Sequence, residues 1–98
     1  MNAEVNATKD QVKEFLDSVL WADIVAELRI WQEGFNMEMK CIVDDAASDN
    51  PSTASVLLHM GDLNGRQKAV DYFIGIPNLF LSILEEKQKE KEKDGKDD

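Results

Sequence analysis

The sequence predicts an all-α fold: an antiparallel two-helix hairpin with a short N-terminal helix and a short C-terminal helix, followed by a disordered charged C-terminal tail. Three observations predict it. Two apolar stripes of similar length recur at steps of three and four residues, the period of one helix face. A run rich in Asp, Ser and Asn separates them, and such residues compete with the helical backbone for hydrogen bonds. A capping signature opens the first helix, and a Gly-Ile-Pro triplet follows the second stripe.

The 98 residues hold one core at most. Residues 1–7 are expected to be disordered, 8–84 to form the helical domain, and 85–98 to be a charged tail, frayed helix or disordered. Met1 to Ala7 has no basic segment and no apolar run, so it does not read as a secretion signal.

Thr8 with Gln11 is a capping box, in which the Thr hydroxyl accepts from a free backbone N–H and the Gln side chain reaches back. Val12, Phe15, Leu16, Val19 and Leu20 follow at helical spacing. Asp17-Ser18 can cap a new helix, which leaves one bent helix and two separate helices both open. Trp21, Ile24, Leu28, Trp31, Phe35 and Ile42 form the first long stripe. Trp21 to Val43 as a helix would be roughly 35 Å long.

Asp44 to Asn50 reads as the loop. Asn50-Pro51 then reads as a helix start, with Asn as cap and Pro at the first helical position. The second stripe is Val56, Met60, Leu63, Val70 and Phe73/Ile74. A loop centred near Ala47-Ser48 places Phe35 near Met60, Leu28 near Gln67, Ile24 near Val70 and Trp21 near Ile74. The predicted hairpin core is Trp21, Ile24, Leu28, Trp31, Phe35, Leu63, Val70 and Phe73.

Gly61 and Gly65 leave two alternatives. Each costs about 1 kcal/mol in a helix interior relative to Ala, and Asn64-Gly65 is a turn signal, so the helix can break there. If it continues, both glycines lie on the outer face, where a Gly-x-x-x-Gly ridge lets a partner approach closely. Gly75-Ile76-Pro77 is expected to end the second helix. Leu79, Phe80, Ile83 and Leu84 then give a third helix one short apolar patch.

Charge narrows the function. There are 11 Lys and Arg against 20 Asp and Glu, and the net charge is −9. Most of the excess lies before residue 85, so it belongs to the body of the protein. That argues against direct nucleic-acid binding, which needs clustered cations, and against anionic membrane surfaces. The longest apolar stretch, Phe73 to Leu84, is about 12 residues against roughly 20 for a membrane span.

No reaction chemistry is legible. Cys41 is the only cysteine and His59 the only histidine, so neither an intrachain disulfide nor a Cys-rich zinc site can form. The hairpin register separates Cys41 and His59 by roughly 7 Å along the axis, too far for a thiolate–imidazole pair. Gly61 to Gly65 lacks the acidic spacing of a calcium loop, and Gly65-Arg66 lacks the Lys-Ser/Thr of a phosphate-binding loop. The expectation is no catalytic residue, no metal, no cofactor and no enzyme. Trp21, Trp31, Phe35 and the nearby methionines are instead a large apolar load for two helices, and a hairpin alone leaves one flank of them wet.

The order Trp21-x-x-Ile24, acidic loop, Gly65-Arg66, Ile76-Pro77 resembles small helical proteins of tailed bacteriophages, over about residues 15 to 84. The resemblance implies no catalytic or binding residues. It implies a setting: the cytoplasm of an infected bacterium, or the virion. The expected function is protein–protein interaction as a phage structural or assembly accessory, with the protein itself or virion proteins as partners. Leu79, Phe80, Ile83, Gly61 and Gly65 are the expected partner-facing residues. The alternative is a small acidic inhibitor of a host nucleic-acid-binding protein, with Asp23, Glu27, Asp44, Asp45 and Asp49 mimicking phosphates.

Overall fold

The structure, a computed structural model, describes residues 4–49 and 52–96. Among these the elements are all helical: α1 (Lys9–Leu16), α2 (Val19–Asp49) and α3 (Thr53–Lys96). Residues 4–7 precede α1 without regular secondary structure, and residues 1–3 lie outside the described residues.

Each helix start has a local cause. The Thr8 side chain accepts from the Gln11 N–H at 3.1 Å, and Gln11 Oε1 accepts from the Thr8 N–H at 2.9 Å, completing the capping box. At Asp17-Ser18 the chain forms two helices rather than one bent one. The Ser18 hydroxyl donates to the Phe15 carbonyl at 2.6 Å and accepts from the Trp21 N–H at 3.1 Å, so a single side chain ends α1 and caps α2. At α3 the Ser52 hydroxyl accepts from the Ser55 N–H at 3.1 Å. The predicted Asn50-Pro51 cap lies outside the described residues.

Three expectations are corrected. The segment 44–49 is the last turn of α2 and not loop. Ala46 and Ala47 favour helix, and the Ser48 hydroxyl turns back to the Asp44 carbonyl at 3.4 Å instead of opening a turn. Of the two alternatives at Gly61–Gly65, α3 takes the continuous one and does not break there. Nor does it end at Gly75-Ile76-Pro77, so no separate short C-terminal helix exists. Pro77 costs about 3 kcal/mol in a helix interior. It stands, however, in phase with Phe80, Leu81 and Leu84 at i, i+3, i+4 and i+7, and it is buried while the other three are half-buried. Burying such a stripe is worth about 1.5–3 kcal/mol per fully buried side chain, enough to offset one proline. Where the sequence predicts a frayed or disordered tail from 85, the backbone is helical to Lys96.

The chain divides into two compact units. The first joins the described residues up to Ala22 with those from Gly75 onward. In it Lys9 of α1 reaches Glu85 at 3.9 Å and Gln88 at 3.3 Å on α3, which ties the charged stretch to α1. Val12, one turn after Lys9, is buried, and so is Trp21, whose ring meets Phe15 at 5.1 Å. Trp21 packs against Phe15 within this unit.

The second unit is Asp23–Ile74. Its contacts between α2 and α3 advance along one helix as they retreat along the other: Arg29 to Asp71, Asn36 to Gln67, Glu38 to His59. The predicted register is displaced by about one turn. Gln67 meets Gln32 and Asn36 rather than Leu28, because the extra turn at the end of α2 moves the connection later in the chain. Leu63 (1% exposed) and Val70 (7%) are the buried residues of this unit.

Leu63→Ala removes the most buried side chain of the unit and should cost about 2–5 kcal/mol, measured by urea unfolding followed by circular dichroism. Gly61→Ala and Gly65→Ala should each stabilise by about 1 kcal/mol, because a Cβ at either position meets open space. Destabilisation by either alanine would mean that the helix does break there.

Candidate functional site

The two flanks of the α2–α3 seam in the unit Asp23–Ile74 differ in chemistry. One flank is closed by polar side chains. Gln32 Nε2 donates to Asp71 Oδ1 at 2.8 Å and to the Gln67 carbonyl at 3.4 Å; Arg29 donates to the same Asp71 oxygen at 3.3 Å; Gln67 Nε2 donates to Asn36 Oδ1. Arg29, Gln32 and Asn36 recur at i, i+3 and i+7, so this network follows one stripe of α2. The Arg29–Asp71 ion pair is well exposed and is worth about 0–1 kcal/mol; the value of the network is that it fixes the register.

The other flank is open and apolar. Ile24, Leu28 and Trp31 of α2 and Ala69, Val70 and Phe73 of α3 line a groove of about 580 Å³, with Asp23 and Glu27 on its rim. Successive residues are 100° apart on a helix, which puts this stripe and the polar one on opposite sides of the seam. Trp31 is 51% exposed and Phe73 49%. The Trp31 indole N–H donates to Glu27 Oε1 at 3.1 Å, one turn back, which holds the ring along the helix surface. No lysine or arginine lines the groove. Arg66 of α3, one turn before Ala69, pairs with Asp62 at 3.1 Å.

Two of the predicted hairpin core residues, Trp31 and Phe73, are thus exposed. Val70 and Leu63 are buried, and Ile24, Leu28 and Phe35 are half-buried, but Trp31 and Phe73 face solvent across the groove. Two helices share one seam, and these stripes are wider than one seam. None of the predicted partner-facing residues lines this groove. Leu79, Phe80 and Ile83 are half-buried within the unit of α1. Gly61 and Gly65 are exposed, with open space above both. Sequence reasoning missed Ala69, whose small side chain leaves the groove open, and Leu81, which belongs to the Pro77 stripe. The wet flank itself was legible in the excess of large apolar residues.

The remaining candidates for chemistry do not converge. Cys41 is exposed, and His59 lies 3.2 Å from Glu38. Among the described residues no group of three or more His, Cys, Asp or Glu side chains is placed to hold a metal ion. Among the same residues no helix is long and apolar enough to cross a membrane. No family model, curated protein or solved structure matches the chain.

Proposed function

We propose that this protein is a non-enzymatic protein-interaction module, built as an antiparallel helical hairpin and serving as a structural or assembly accessory of a tailed bacteriophage. The observation that carries the interaction role is the open groove, which exposes Trp31 and Phe73 side by side with no covering element of its own unit. Large aromatic side chains left wet on a helix pair are characteristic of surfaces completed by another protein. The phage setting rests on the resemblance of residues 15 to 84. The partner is a protein, either a second copy or a virion protein.

A second reading is favoured by a different observation. Asp23, Glu27, Asp44 and Asp45 are all exposed, as a phosphate mimic directed at a basic host protein requires. The two readings assign function to different side chains. Under the interaction reading, Trp31→Ala and Phe73→Ala lower the titre of phage carrying the variant gene, while Asp44→Asn with Asp45→Asn leaves it unchanged. Helicity of the isolated variants, by circular dichroism, separates loss of docking from loss of fold. A titre that falls with the two Asn substitutions and not with the two Ala substitutions contradicts the interaction reading and supports the mimic.

A further inference from the structure

We propose that the groove is the docking site of a basic amphipathic helix from another protein. The inference rests on the interaction reading and names its partner by chemistry. Length comes first. Ile24, Leu28 and Trp31 cover two turns of α2, roughly 10 Å, which matches apolar anchors at i, i+3 or i+4, and i+7 on an incoming helix. A third helix laid between two antiparallel helices completes a small bundle and covers both Trp31 and Phe73.

Charge then selects the occupant. The rim carries Asp23 and Glu27 and no base. Among the described residues Asp23 has no hydrogen-bond or ion-pair partner, and the Glu27 carboxylate keeps a second oxygen beside the one that accepts from Trp31. A helix with Lys or Arg beside its apolar stripe meets both carboxylates. A second copy of this chain does not. Two-fold pairing through the groove sets both acidic rims against each other, on chains of charge −9 each.

The probe is a synthetic amphipathic peptide of about 18 residues, with Leu at i, i+3, i+4 and i+7 and Lys beside them, labelled for fluorescence anisotropy and titrated with the full chain. A peptide with Glu in place of Lys is its control. Ala69 is exposed, so Ala69→Arg should fill the groove while leaving the helix intact by circular dichroism. The expected result is binding of the Lys peptide, weakened about tenfold or more by Ala69→Arg and about fivefold by Asp23→Asn with Glu27→Gln. The Glu peptide should not bind, and Asp44→Asn with Asp45→Asn should leave the affinity unchanged. Affinity that ignores Ala69→Arg, or that falls equally with the Asp44 and Asp45 changes, would overturn the proposal, because the peptide would then be held by diffuse charge. So would failure of the Lys peptide to bind. Light scattering adds a separate arm: a dimer of the chain alone that Ala69→Arg dissolves overturns the basic-helix partner yet leaves the interaction reading standing.

Discussion

Two helices share one seam, and the width of an apolar stripe decides whether that seam can bury it. In the unit Asp23–Ile74 the seam closes over Leu63 and Val70. The stripes on both helices are wider than that. On one side the excess is avoided, since Arg29, Gln32, Asn36, Gln67 and Asp71 replace apolar residues and bond across the gap. On the other side it remains as Ile24, Leu28, Trp31 and Phe73 around an open groove. The polar side sets the register by directional hydrogen bonds, and a fixed register is what keeps the groove in one shape.

The same competition between local preference and burial explains α3. Gly61, Gly65, Gly75 and Pro77 all disfavour a helix interior. None of them ends α3. The stripe Pro77, Phe80, Leu81 and Leu84 stays in phase across the proline, so a break would move that stripe off its buried face. The charged stretch that follows contains good helix formers and is anchored by Lys9 through Glu85 and Gln88.

Elements with a local cause were legible in the sequence. The Thr8–Gln11 capping box, the capping capacity of Ser18 and the helical period of both stripes depend on neighbours within one or two turns. Elements decided by competition were not. The Asp- and Ser-rich stretch at 44–48 carries loop composition and is helix, and that one turn displaces the predicted facing pairs. The Gly-Ile-Pro stop signal is correct chemistry outweighed by burial. For the candidate site, periodicity identifies the apolar face that carries Ile24, Leu28, Trp31, Val70 and Phe73 without saying how much of it a partner helix covers. Ala69 carried no signal, since the absence of a large side chain leaves no mark in a pattern of apolar spacing.

The account depends on Trp21 and Trp31 having opposite surroundings in the free protein, one buried beside Phe15 and the other half open on the groove. The indole N–H signals of the two tryptophans in a nitrogen–proton correlation spectrum report this directly when a soluble paramagnetic chelate is added. The account predicts that the Trp31 signal broadens and the Trp21 signal persists. Protection of both would contradict it, because the groove would then already be covered in the isolated protein.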